Sequence, residues 1–230
     1  ESGKQYKVLT LADCFEYDEQ TYNYNGSYSF TGTKIEQAVI TAILNVTTND
    51  KVVVDMIKGN NEQDYSSLKS LLENNAYQVN EVSLATGDFD KDAKVAIMYA
   101  PSVDLDEKIV EKLSTWLSND GKYGRSLIYV PTADMGEMPN LDDFLKEWGM
   151  SIDRGYVFET DESTLVSASS PYAFTVSYGD YYKDNLKNSK IPVVVSESHA
   201  VNITDENTAH ALLKTCLLYT SPSPRDYAAS

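Results

Sequence analysis

The chain has 230 residues, is 42% hydrophobic and 23% charged, and carries a formal net charge of −16. That is long and apolar enough for one sizeable α/β domain or two small ones. The acidic balance, with no basic patch or lysine/arginine run, excludes nucleic acid and anionic membrane surfaces as partners. No stretch of about 18 apolar residues occurs, so no segment of this sequence is expected to span a membrane as a helix.

The start, "ESGKQYKVLT", has neither a Met nor an apolar signal region, and reads as the beginning of a fragment. Residues 1–32 form a Tyr/Asn-rich segment. Its turn formers, in "YDEQTYNYNGSYSF", predict a loop or short hairpin beside one strand at Tyr6–Leu11, with the tyrosines as half-buried cover. Thr33-Lys34-Ile35-Glu36 has the pattern of a capping box. Ile35, Val39, Ala42, Ile43 and Val46 then recur at helical spacing to about Asn45. Val52–Ile57 is a continuous apolar run, as in a strand covered on both faces.

After Gly59-Asn60-Asn61-Glu62, the leucines Leu68, Leu71 and Leu72 share a helical face ending near Asn74 and Asn75. Gln78–Leu84 alternates like a strand, and Val95–Tyr99 reads as a buried strand closed by Pro101. Asp104 is placed to cap a helix whose core stripe is Ile109, Leu113, Trp116 and Leu117. Arg125–Val130 is the next strand, and Asn140 caps a helix over Leu141–Trp148 that Gly149 ends. Beyond it Tyr156–Phe158, Ala173–Tyr178 and Ile191–Val195 read as less regular strands, the last an edge because of Pro192.

From Thr33 to Trp148 the order is α-β-α-β-β-α-β-α. Such alternation predicts a single α/β domain over residues 33–215, with a mainly parallel sheet and helices on both faces. The ending "CLLYTSPSPRDYAAS", residues 216–230, reads instead as translated sequencing-adapter read-through, a non-native tail to be set aside. Without Cys216, Cys14 is alone, and no intrachain disulfide is expected.

Several of these features come together as a resemblance. "SFTGTKIEQAVITAILNVT", then a strand followed by Gly-x-x-Glu, then "VAIMYAPSVDLDEKIVEKLSTWLSNDGKYGRSLIYV", resembles the gliding-motility-type (GldG-like) auxiliary proteins of ABC transporters, over roughly Phe30 to Val195. The apolar strand ending in Ala100-Pro101, followed by Asp104-Leu105-Asp106-Glu107 and a helix, carries it best. The resemblance implies a flavodoxin-like or class I glutamine-amidotransferase-like sheet without its nucleophile. It also implies an extracytoplasmic domain at a bacterial membrane, anchored by transmembrane segments outside this fragment. The implied partners are an ABC-2-type permease and ATPase, with exported cargo as a further one; no cofactor is implied. Where the family commonly has Gly-His-Gly-Glu, this chain has Gly59-Asn60-Asn61-Glu62, so a role carried by that histidine does not transfer.

The residues themselves point the same way. A phosphate loop needs several glycines or a Lys-Ser/Thr pair; this turn has one glycine and sets Glu62 where the anion would sit. No Gly-x-Ser/Cys-x-Gly elbow occurs, and His199 and His210 are isolated late in the chain. Asp88, Asp90 and Asp92 begin like a calcium loop, but Ala93 and Tyr99 stand where the loop needs Gly and Glu. The sequons at Asn25, Asn45 and Asn202 are chance matches in a bacterial setting. The binding surface to expect is therefore Gly59, Asn60, Asn61 and Glu62 with Pro101 and Ser102, where neighbouring parallel strands end. Its occupant is a partner protein or, alternatively, a small ligand or sugar.

Overall fold

The computed structural model describes residues 6–131, 135–167, 170–188, 190–215 and 219–221. In chain order the elements are α1 (Leu11–Cys14), β1 (Phe15–Tyr17), α2 (Glu19–Asn25), β2 (Phe30–Thr33), α3 (Ile35–Thr47), β3 (Val53–Ile57) and α4 (Ser66–Asn74). There follow β4 (Gln78–Val82), β5 (Ala93–Tyr99), α5 (Glu107–Ser118), β6 (Ser126–Val130), α6 (Pro139–Glu147) and β7 (Met150–Phe158). Last come β8 (Leu165–Ser167), β9 (Ser170–Tyr178), α7 (Asp180–Lys183), β10 (Val193–Ser196), β11 (His199–Ile203), β12 (Leu213–Lys214) and β13 (Tyr219–Ser221).

The chain divides into two compact units, one of Glu1–Lys58, Asp64–Met98 and Trp116–Ile128, the other of Gly59–Gln63, Tyr99–Thr115 and Tyr129–Ser230. Parallel pairing centres on β3, which runs parallel to β4 and β5 in a four-stranded sheet of order β4-β3-β5-β6. All five residues of β3 are buried, the apolar ones as a strand covered on both faces requires and Asp55 among them. The other sheets pair antiparallel: β1 with β2, β9 with β8, β10 and β12, and β7 with β11 and β13.

These sheets overturn the expected single, mainly parallel sheet of flavodoxin or amidotransferase type. The fold is mixed α/β, in several sheets, with most strands antiparallel. Parallel neighbours need a crossover of about a dozen residues or more, usually a helix. The helix–strand alternation that supplies such crossovers stops after α6, and the one later described helix, α7, is four residues long. Strands from Met150 onward therefore find antiparallel partners. There Val157, Phe174 and Ala200 form a small core, with Leu165, Val176 and Val195 packed against it.

Three local expectations also change. Residues 6–10 are not a strand; Thr10 instead opens α1 with a reciprocal capping box to Asp13. The capping box at Thr33 does not form, because the β1–β2 ladder takes Thr33 as the partner of Phe15 and leaves Lys34 at the N-cap. Asn140 lies inside α6 rather than capping it. Most of the tail, Cys216 included, lies outside the described residues; its Tyr219–Ser221 pairs with Tyr156–Phe158 of β7.

Candidate functional site

The six residues singled out from the sequence all belong to the second unit. Gly59 takes φ +116° and Asn61 φ +53°, left-handed values that glycine and asparagine adopt most readily. The turn this creates brings the Glu62 carboxylate back onto the Gly59 and Asn60 amides, which donate to it at 3.0 and 2.9 Å. An anion seat is thus filled by the chain's own carboxylate.

The two asparagines face the segment after β5. Asn60 is buried, and its side-chain amide donates to the carbonyls of Asp104 at 3.0 Å and Val103 at 3.5 Å. Its own carbonyl accepts from the Ser102 and Val103 amides, each at 3.1 Å. Asn61 and Ser102 are exposed; the Asn61 amide donates to the Ser102 hydroxyl, which in turn donates to the Asn61 carbonyl at 2.9 Å. Pro101 is fully buried, and Ala100 before it sits at φ +48°, a left-handed position that costs alanine about 1 kcal/mol. Ala100 stays there because its amide donates to the Val130 carbonyl at 2.7 Å and its carbonyl accepts from the Gln63 amide at 3.2 Å.

Asp104 anchors the assembly. Instead of capping α5, its carboxylate accepts from the Asn140 amide at 3.0 Å and the Leu141 amide at 3.1 Å, capping α6. Asn140 reciprocates by donating its side-chain amide to the Leu105 carbonyl at 2.7 Å. Sequence spacing pointed to the nearer helix; the cap is made 36 residues along the chain.

Because these groups already satisfy one another, Asn60→Ala is expected to cost about 1–2 kcal/mol by leaving two carbonyls unpaired. Melting temperature should fall by roughly 3–6 °C. Asn61→Ala, which sets an alanine at φ +53° and removes the side-chain amide that donates to Ser102, should cost about 1 kcal/mol although the residue is exposed. Thermal melts of both variants check this; loss of binding to a ligand with unchanged melting would instead mark a ligand site.

The remaining candidates are used structurally. His199 stacks on Tyr156 at 5.4 Å and places Nδ1 3.1 Å from the Gly155 carbonyl, while His210 stacks on Tyr181 at 4.2 Å. No group of three His, Cys, Asp or Glu among the described residues could hold a metal ion. Asp90 Oδ1 accepts the Asp92 amide at 2.8 Å, so "DFDKD" is closed by its own backbone. Among the sequons, Asn45 donates to Thr41 and Asn74 carbonyls, and Asn202 to the Asp153 carboxylate.

Four partners escaped the sequence reading. Asp55 is completely buried on β3, held by the Asp90 amide at 2.7 Å and the Asn80 side chain at 3.1 Å. Glu159 is buried at the end of β7 and accepts the Thr160 and Asp161 amides at 2.8 and 3.0 Å. Arg154 pairs with Asp142, and the neighbouring Asp143 pairs with Lys146 at 2.8 Å.

Close to that ion pair in charge, Tyr129 donates its hydroxyl to the Met135 sulfur at 3.2 Å. Burial, aided by the Asp142 charge and opposed by Arg154, pushes the Tyr129 phenol up to about 12 from 10.0. A folded value above the unfolded one leaves this stability intact below about pH 10 and removes it as pH rises through about 12. Discounted for the water that still reaches the ring, the loss is on the order of 1–2 kcal/mol. Tyr129→Phe should therefore gain on the parent chain by that amount between pH 9 and 12 in denaturant titrations.

A cavity of about 560 Å³ opens elsewhere in the second unit, lined chiefly by Val157, Phe174, Val176, Val195, Ala200 and Leu213. No residue of the Gly59–Glu62 turn lines it. No helix among the described residues is long and apolar enough to cross a membrane. A scan against protein-family models finds no match, and a search of curated proteins finds none either.

Proposed function

We propose that the chain is a non-catalytic, extracytoplasmic domain of an auxiliary subunit of an ABC-2-type transport system. It works by protein–protein contact with the permease, or with exported cargo, at a bacterial membrane. The observation that supports this most is the Glu62 carboxylate seated on the Gly59 and Asn60 amides. It fills the position a phosphate or carboxylate ligand would use, while Asn61, Ser102 and the 53% exposed Val103 present a braced outer face. A surface whose polar groups are already paired suits a partner that brings shape and apolar area. The sequence resemblance over roughly Phe30 to Val195 supplies the class of partner.

Sequencing the source DNA on both sides of this segment tests the proposal. Flanking apolar runs of about 20 residues and adjacent permease and ATPase genes are expected. A benzoylphenylalanine placed at Ser102 should then crosslink to the permease or cargo. A soluble reading frame with no transporter genes nearby would sink the proposal and favour a free small-ligand-binding domain.

A further inference from the structure

The tyrosines of the N-terminal segment are only partly used as cover. Phe15, Tyr17, Tyr22, Tyr28 and Phe30, on or beside β1, α2 and β2, pack into one aromatic cluster. Tyr28 sits at its centre, with ring centroids 4.7 Å from Tyr22, 5.1 Å from Tyr17 and 5.7 Å from Phe30, and Phe30 lies 4.9 Å from Phe15. This packing holds the rings in place before any partner arrives, so little side-chain entropy is left to lose on contact. Yet Tyr22, Tyr28 and Phe30 remain 37%, 40% and 49% exposed.

Charge and shape select the occupant. From Val8 to Thr33 the chain has four carboxylates, Asp13, Glu16, Asp18 and Glu19, and no lysine or arginine. Asp18 caps α2, and the exposed Glu19 stands at i, i+3 to Tyr22, beside the rings. The whole chain carries −16, which repels an anionic partner and a second copy alike. No Leu, Ile, Val or Met occurs between Phe15 and Thr33, so an apolar helix finds no aliphatic ridge to pack into. The rings of Tyr17 and Tyr28 are tilted by 80° and those of Tyr22 and Tyr28 by 33°, while Tyr28 and Phe30 are stacked. Such a cluster offers single ring faces next to carboxylates rather than a broad flat platform for a sugar. A guanidinium suits that setting, being planar, cationic, and able to stack on an aromatic face while donating to a carboxylate.

We propose that this cluster is a docking surface for an arginine-bearing segment of a partner protein, with guanidinium groups lying on the exposed rings beside Glu19. The inference stands independently of the transporter reading.

Amide chemical shifts of the full 230-residue chain, titrated in about 0.15 M salt with a blocked (Gly-Arg)₃ peptide, test it. Saturable shifts centred on residues 15–33 are expected, with half-saturation on the order of 0.1–1 mM. A (Gly-Lys)₃ peptide of equal charge should bind roughly fivefold more weakly, because an ammonium has no planar face to stack. Phe30→Thr should weaken the arginine peptide roughly fivefold. Glu19→Gln should weaken it roughly twofold and flatten its salt dependence; this isosteric change at an exposed residue is read instead if Phe30→Thr misfolds. Tyr24 is the control: it is 90% exposed but stands two residues from Tyr22, about 200° around α2, and Tyr24→Ala should leave the affinity unchanged. Three results would each overturn the proposal. These are the absence of saturable shifts, shifts spread over the acidic surface with the two peptides indistinguishable, or an affinity that Tyr24→Ala lowers as much as the cluster variants do. Maltohexaose moving the same resonances while the arginine peptide does not would assign the rings to saccharide and overturn it as well.

Discussion

Gly179→Ala is expected to lower the melting temperature by roughly 8 °C, equivalent to about 3 kcal/mol for a chain of this size. Gly179 sits between β9 and α7 with φ −66°, a conformation alanine adopts freely, so backbone preference plays no part. The obstacle is space. An added Cβ would lie 1.9 Å from the Ala211 carbonyl oxygen and 2.9 Å from its carbon, both main-chain atoms with no rotamer to turn away. The Gly179 amide donates to the Leu212 carbonyl at 2.8 Å, so the same approach that excludes a side chain also joins the two segments. Substitution must push residues 211–214 outward and strip β12 from its pairing with Ser177 and Tyr178. Gly87→Ala is the control: its Cβ would meet only the Ser83 carbonyl, at an ordinary 3.5 Å, and melting should change by less than about 2 °C. Equal effects at the two glycines would show that the close approach at Gly179 is not made in solution.

Asp55→Ala should be as damaging, at about 3–4 kcal/mol in denaturant titration. The carboxylate is fully buried in the central strand of the parallel sheet and lies opposite Asn80 in the β3–β4 register. Its removal orphans the Asp90 amide and the Asn80 amide group, which retains only a 3.4 Å contact to Asp90 Oδ2. Asp55→Asn keeps the shape but sets an NH₂ against a donor, and should cost about half as much. Asn80→Ala in the Asp55→Ala background should cost less than in the parent, by about 1 kcal/mol, because the pair acts together. Full additivity would mean that Asp55 is held by other groups.

The two regions differ in how far the sequence could disclose them. β3, α4, β5, α5 and β6 were legible because each is a local signal: a branched run of strand length, or leucines repeating at helical spacing. The α5 stripe of Ile109, Leu113, Trp116 and Leu117 is buried throughout. Sheet assignment was not legible, since parallel and antiparallel strands share one residue preference and differ in connections and partners. Asp55 was passed over inside an apolar run, although a carboxylate at that position demands donors, and Asn80 was there at the matching place on the next strand. Asp104 was assigned to the nearest helix because a cap pattern is read along the chain, while the α6 amides reach it through space. The turn at Gly59–Glu62 was legible as a turn from its glycine and asparagines; that its carboxylate folds back onto its own amides was visible only in three dimensions.

Asp104 has a kinetic consequence. Glu62 holds the Gly59 and Asn60 amides, Asn60 holds the Asp104 carbonyl, and the Asp104 carboxylate holds the Leu105, Asn140 and Leu141 amides. These five amides lie far apart in sequence, yet no one of the links can open without slackening the next. Local opening should therefore be cooperative, and their protons should exchange with deuterium as one group, at a single free energy of opening. Shortening Asn60 to alanine would then accelerate exchange at the first turn of α6, about 80 residues downstream, before it alters any strand.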